Sequence, residues 1–276
     1  MSNHKQKKHH NPRQLQKERE PAQPQTKDSS WELMQEWYHG QVGAEGHYYH
    51  QQVILPNVLR LIKHARKVLD IGCGQGILAR KLPKSVDYLG IDLSPSLIAK
   101  AIQLQPWRKG RFILQDAAQP FSLKEQDFSH SVMILSLQNM IDPKAVLSNI
   151  QHHLEPQGAL LIVINHPCFR IPRQSGWHID SAKKLQSRRI DRYMSSLEIP
   201  IQTHPSHGSD SSVSLTFHHP LSFYAQILME SGFDIESLEE WCSDKTSTGA
   251  NARMENRARK EFPLFLAILA RKKSVI

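Results

Sequence analysis

Apolar residues along this chain fall into short runs set apart by glycine, proline and polar turns. Val68–Ile71, Tyr88–Leu93, Phe112–Ala117, Ser131–Ser136 and Ala159–Asn165 are largely apolar, as strands buried on both faces are, and the first three open on a β-branched or aromatic residue. Between them the spacing turns helical. Ile54, Leu55, Val58, Leu61 and Ile62 form one stripe, and Pro56 puts the start of that helix near itself. Ile77–Leu82 runs up to Pro83. Leu97, Ile98, Ala101 and Ile102 follow Ser94-Pro95, and Val146, Leu147, Ile150 and Leu154 follow Asp142-Pro143. In both of these a capping residue precedes a proline at the first helical position. Gly158 is expected to end the last helix.

The C-terminal third is less uniform. Ile171–Ser214 carries Pro172, Pro200, Pro205 and a serine-rich stretch, Ser206–Ser212, and reads as a long irregular insertion. Ser214–His219 reads as a strand or the edge of a lid, Leu221–Ser231 as a helix stopped by Gly232, and Phe233–Trp241 as a half-buried strand. Thr246–Glu261 is polar and basic, a loop with a helical turn. Leu264–Ala270 is a wholly apolar strand. Alternating strand and helix predicts an α/β fold with a mostly parallel sheet.

With 276 residues and 31.7 kDa the chain is long enough for one substantial core. Its three cysteines lack Cys-x-x-Cys spacing, which argues against a structural zinc site or a disulfide framework, and no metal site is expected. No apolar run is long enough for a membrane span and no secretory signal is visible, so a cytoplasmic location and no membrane partner are expected. The net charge of +9 is compatible with an acidic partner. Part of that charge lies in residues 1–30, which are rich in Lys, Arg, Gln, His and Pro, and poor in apolar residues. That composition reads as a disordered basic tail, with a nonspecific RNA-contacting arm as the alternative.

The chemistry is concentrated in Asp70-Ile71-Gly72-Cys73-Gly74-Gln75-Gly76, where a strand runs into three alternate glycines and then a helix. Such a turn lets a ligand approach bare backbone. The acid at the strand end would repel a pyrophosphate but hold a cationic, amino-acid-like group. This Asp-x-Gly-x-Gly-x-Gly pattern resembles motif I of the class I S-adenosylmethionine-dependent methyltransferases. Asp92, at the tip of the second strand, is a second match, since its two oxygens can accept from both hydroxyls of a ribose. The resemblance extends over residues 53–272. It implies a Rossmann-like seven-stranded class I methyltransferase sheet with helices on both faces, an N-terminal cap, an insertion after strand 5 and an antiparallel final strand.

The resemblance also implies roles. Asp70, Gly72, Cys73, Gly74 and Gly76 would surround the methionine end of S-adenosyl-L-methionine, Asp92 and Leu93 the ribose, and Asp116 and Ala117 the adenine. Leu135, Ser136 and Gln138 would line the donor's methionine end or the acceptor pocket. The fourth strand ends without the Asn/Asp-Pro-Pro-Tyr of enzymes that methylate adenine or glutamine amino groups, and without the Pro-Cys of RNA cytosine-C5 enzymes. In Trp31–His50, aromatic and histidine residues alternate with glycines in a manner suited to a cap, and Tyr38, His39, Tyr48, Tyr49 and His50 are expected near the site. At the fifth strand end, His166 is a candidate proton acceptor, Cys168 a candidate nucleophile, and a merely pocket-shaping histidine the third option. Arg170, Arg173, Arg188, Arg189 and Arg192 are candidates to meet an anionic group on the acceptor.

The sequence therefore leads us to expect a tail at 1–30 and a methyltransferase domain at 31–272, with a cap segment at 31–52 and an acceptor lid at 166–215. The expected reaction is transfer of a methyl group to an O or N atom of a small molecule. RNA, such as tRNA, is the alternative acceptor, and a donor-binding regulatory protein without turnover is the alternative of another class.

Overall fold

The computed structural model describes residues 31, 32, 40, 43, 45–121, 123–202 and 213–274. Tyr38, His39 and the basic segment 1–30 lie outside the described residues. The centre is a seven-stranded sheet of β1 (Lys67–Ile71), β2 (Asp87–Asp92), β3 (Phe112–Leu114), β4 (Phe128–Ile134), β5 (Leu154–Asn165), β10 (Phe233–Trp241) and β11 (Phe265–Lys272), in the order β10-β11-β5-β4-β1-β2-β3. All neighbouring pairs from β3 to β5 are parallel, and β11 runs antiparallel to both β5 and β10. The expected sheet, with its reversed final strand, is the one observed.

Helices cover both faces, so the strands are buried on both sides and need no polar alternation. One apolar cluster joins Val68, Val132, Val163 and Ala267 to Val58 of α1 (Leu55–Leu61) and Ile62 just after it, Leu78 of α2 (Ile77–Lys81) and Ala101 of α3 (Pro95–Leu104). The other joins Leu69, Met133, Ile162 and Ile268 to Leu147 and Ile150 of α4 (Pro143–His153) and Leu228 of α5 (Leu221–Glu230). Ser94 and Asp142 cap α3 and α4 as expected, accepting from the backbone N–H of Leu97 and Ala145.

Four local expectations are corrected. A wide π-type turn, His50–Ile54, continues directly into α1, so helical structure begins ahead of Pro56, which sits in the first turn of α1 proper. α4 ends at His153 and Gly158 lies inside β5, next to Gln157 at φ 63°. The insertion contains two antiparallel hairpins, β6 (Ser175–Asp180) with β7 (Leu185–Ile190) and β8 (Leu197–Gln202) with β9 (Val213–His218). The basic stretch after β10 is a full helix, α6 (Ala252–Glu261).

The strand order reverses between β1 and β4, which makes the carboxyl edge there the natural ligand crevice. The glycine turn closes that crevice tightly. Gly72 has φ 69°, and a Cβ placed on it would overlap Ser136 Cβ, whereas a Cβ on Gly176 of β6 would meet nothing within 4 Å. Gly72→Ala should therefore cost about 2–4 kcal/mol of stability in urea unfolding, and Gly176→Ala less than about 0.5 kcal/mol. Equal effects would contradict the close approach.

Candidate active site

At the end of β1 the chain must turn sharply between two neighbours. Gly72, Gly74 and Gly76 all take left-handed backbone angles, φ 69°, 54° and 74°. The backbone N–H groups of Gly72 and Cys73 donate to Ile91 O of β2 at 2.8 and 3.0 Å. From the other side, Ser136 Oγ donates to Ile71 O at 2.7 Å. The turn is thus fixed to both flanking strands.

A cavity of about 580 Å³ opens beside this turn. Its walls bring together Gly72 and Gly74 from the first strand end, Asp92 and Leu93 from the second, Asp116 and Ala117 from the third, Leu135 and Gln138 from the fourth, and Asn165 from the fifth. Asp92 Oδ2 accepts from Gly74 N at 2.8 Å and Oδ1 from Ser94 N at 2.9 Å, so each carboxylate oxygen is oriented and keeps accepting capacity. Burial raises the Asp92 pKa, and those backbone N–H groups oppose the shift. Asp116 is oriented in the same manner by Ala118 N, 2.9 Å from Oδ1. Leu135 sits at φ 54°, an unusual angle for leucine, on the cavity wall.

Three residues of the motif stand behind the wall instead of lining it. Gly76 packs against Phe112, whose ring would lie 2.8 Å from an added Cβ. Cys73 is buried against Gly90, and its thiol pKa is pushed up by burial and by the nearby carboxylates Asp92 and Asp70. Asp70 is buried and accepts from Tyr88 Oη at 2.8 Å. Burial pushes its pKa up to about 7, opposed by that hydroxyl and reinforced by the charge of Asp92. Asp70 therefore carries a proton much of the time at neutral pH.

Residues from the cap complete the enclosure. Trp31 and His50 line it. The Glu32 carboxylate accepts from the hydroxyls of Ser94 and Ser96, Gly43 O accepts from Gln75 Nε2 at 2.5 Å, and Lys81 pairs with Glu45 at 2.6 Å. The cap is thereby tied to the helices that follow β1 and β2. His50 opens the π-type turn, and such turns are frequent at functional sites. Its Nδ1 is buried with no hydrogen-bond partner among the described residues. Burial, aided by the charge of His47, pushes its pKa down to about 4. A neutral imidazole thus faces the cavity.

His166 lies elsewhere. Its side chain is buried, Nδ1 accepts from Cys168 N at 3.2 Å, and Nε2 meets Glu240 Oε1 at 2.6 Å. The first bond makes Nδ1 the acceptor, so Nε2 carries the proton and donates to Glu240; neither nitrogen remains for the cavity. The neighbouring Asn165 takes the cavity position, because successive residues of an extended chain face opposite ways. Like His166, Cys168 and Arg170 are not among the residues that line the cavity. Tyr48 and Tyr49 point toward the segment after β10, to Asp244 Oδ2 at 2.9 Å and Ser243 Oγ at 3.1 Å. Sequence reasoning missed Trp31, Asn139 and Asn165 as lining residues. Asn165 had a signal, since it ends its strand as Asp92 does; Trp31 had none beyond its place in an aromatic segment.

Residues 46–238 match a family model described as a methyltransferase domain. The ubiquinone biosynthesis O-methyltransferase of Aliivibrio fischeri is 28% identical over 96 residues, 34% of this chain and 41% of that protein. The tRNA1(Val) (adenine(37)-N6)-methyltransferase of Yersinia pestis is 38% identical over 69 residues, 22% of this chain and 27% of that protein. The chain thus spans less than half the length of these curated relatives. A solved S-adenosylmethionine-dependent methyltransferase from Mesorhizobium loti superposes with TM-score 0.57 and 26% identity, covering 75% of this chain and 90% of that one.

Asp70 gives the site a pH-dependent stability. Its pKa is raised from 3.8 to about 7 on folding, so the protonated form is favoured in the native state. The stabilisation is complete below about pH 4 and is lost as pH rises to about 7. Asp70→Asn cannot ionise. Its stability advantage over wild type in urea should grow from pH 4 to pH 7, reaching on the order of 2–4 kcal/mol, and then level off. A pH-independent difference would contradict the raised pKa.

Proposed function

This chain belongs to the class I S-adenosylmethionine-dependent methyltransferase family, and we propose that it methylates an oxygen or nitrogen of a small organic acceptor enclosed with the donor. One observation carries the reading: donor-type strand ends and an unpartnered neutral imidazole share a single cavity of about 580 Å³. That volume lies within the roughly 300–1,000 Å³ range of small-molecule sites. The part-length likeness to an O-methyltransferase supports oxygen as the receiving atom.

The residues present fit S-adenosylmethionine. Gly72 and Gly74 offer bare backbone where a side chain would block the approach, and Asp92 offers two oriented oxygens to a ribose. Asp116 would take the adenine amino group, with Ala117 and Leu93 against the ring and sugar. Asp70 would act from behind the turn, gaining charge as a cationic amino group settles in front of it. The donor supplies an electrophilic methyl carbon on a sulfonium. His50 would accept the proton that the acceptor's O–H or N–H releases, while Asn165 and Gln138 orient the acceptor. Trp31 and the tied-down cap would keep water out. Because His50 is held neutral, it adds no positive charge beside the sulfonium.

RNA is the second reading, favoured by the net charge of +9 and by the segment shared with a tRNA methyltransferase. Ionic strength separates the two. Methyl uptake by a small organic acceptor should change by less than about fivefold between about 50 and 500 mM salt, whereas RNA methylation should fall by orders of magnitude.

Three outcomes follow for the site itself. In calorimetric titration, Asp92→Ala should weaken S-adenosylmethionine binding at least about 100-fold, by roughly 2.7 kcal/mol; unchanged affinity in a folded variant would remove Asp92 from the site. His50→Gln should lower kcat by about 100-fold with donor affinity within twofold. The wild-type rate should hold down to about pH 5 and fall toward pH 4, since a base with a lowered pKa keeps its lone pair until then. An acid limb near pH 6.5 would exclude His50 in this environment.

A further inference from the structure

We propose that Arg170 and Arg188 hold an anionic group of the acceptor, so that the substrate is a small organic molecule carrying a carboxylate or phosphate close to its methylated atom; this rests on the methyl-transfer reading above. Five lid arginines were candidates for that role, and their surroundings separate them. Arg189 is already neutralised by two bonds to Asp191, at 2.6 and 3.0 Å, and Arg173 and Arg192 are exposed to solvent. Arg170 and Arg188 are both partly buried, and neither has an ion-pair partner among the described residues. Arg188 donates only to neutral oxygens, Phe169 O at 2.7 Å and Ser175 Oγ at 2.8 Å, and lies over the Trp177 ring at 5.0 Å. Arg170 lies over the Phe265 ring at 5.4 Å, with no hydrogen-bond acceptor among the described residues.

Arg188 donates to the carbonyl of Phe169, next to Arg170, and its positive charge is felt by Arg170. Both guanidinium groups are partly desolvated with no counterion among the described residues, an arrangement at odds with stability alone. Nearby acids are engaged elsewhere: Glu240 with His166 and Asp244 with Tyr48. Lys245, over the rings of Tyr48 and Tyr49 at 4.4 and 5.1 Å, adds a further positive charge. A bound anion would relieve the repulsion and satisfy the free donors of Arg170 in a planar, two-pronged geometry.

The place is also right. Phe265, beneath Arg170, is the register partner of Asn165 on the adjacent strand, and Asn165 lines the cavity. Neighbouring strands are about 4.8 Å apart. Tyr49, whose ring lies 5.9 Å from that of Phe265, directly precedes His50. An anion on Arg170 would therefore lie a small molecule's length from the imidazole. Aromatic rings around the guanidinium favour a flat, unsaturated acceptor over a nucleic acid backbone.

The test follows the arginine Nε–Hε resonances of the full chain saturated with S-adenosylhomocysteine, titrated with benzoate, phenyl phosphate and the neutral benzamide. The two anions should shift the Arg170 and Arg188 signals with Kd at least tenfold below that of benzamide, and their ranking tells carboxylate from phosphate. Arg170→Gln should abolish the preference while S-adenosylhomocysteine affinity stays within twofold, and Arg188→Gln should reduce it. Equal response to all three compounds, a preference surviving both substitutions, or a response to a single-stranded RNA oligonucleotide alone would overturn the proposal. Failure of wild type to bind S-adenosylhomocysteine would instead overturn the donor assignment, and this inference with it.

Discussion

The site depends on one close approach, that of the Gly72 backbone to Ser136. Two parallel strands, β1 and β4, lie side by side and end level with each other, and the chain leaves them in opposite directions. Ser136 reaches across to Ile71 O, and the amides of Gly72 and Cys73 reach the other way to Ile91 O. Only a residue without Cβ fits between these anchors. Every other feature inherits its position from that fixed turn. Gly74 comes into reach of Asp92, and Asp92 is oriented by it.

The second constraint is the distribution of charge around that floor. Three carboxylates gather at neighbouring strand ends, and mutual repulsion in a poorly solvated place would be costly if all stayed ionised. The structure divides them by environment. Asp92 is given two backbone N–H donors that oppose the effect of its burial, and Asp116 is oriented by another. Asp70 is given one hydroxyl and deep burial, and the burial raises its pKa to about 7. A cationic ligand at the glycine turn would reverse that shift. The same logic keeps His50 neutral: low solvation, with the charge of His47, disfavours its protonated form.

How much of this was legible in the sequence depended on how local the cause was. The strands, the caps at Ser94 and Asp142, the glycine turn and the acidic strand ends follow from residue type and period, and the fold is the one they imply. The hairpins of the insertion were not legible, because strands such as Trp177–Ile179 and Leu185–Ile190 expose much of their surface and carry no buried stripe. The helix start failed for a related reason. Pro56 forbids an ordinary helix interior, but a π-type turn ahead of it shifts the hydrogen bonds and lets the helix begin earlier. His166 and Asn165 differ by a single residue, and which one faces the cavity is set by β11 pairing with β5, a contact about a hundred residues distant in sequence.

That same pairing brings the proposed proton acceptor and the proposed anion-holding arginine to one edge of the sheet, although they come from distant segments. β11 is inserted antiparallel beside β5, so its first residue, Phe265, lies at the carboxyl edge with the ends of the parallel strands. The cap contributes Tyr49 and His50 from one turn, one to each side of that edge: Tyr49 packs on Phe265 and His50 faces the cavity. A reversed last strand therefore does more than close the sheet. It widens the edge by one aromatic shelf, Phe265, and Arg170 comes to rest on that shelf. In the proposed reading, donor and acceptor would thus be held on adjoining but separate supports, the glycine turn for one and the Phe265 shelf for the other.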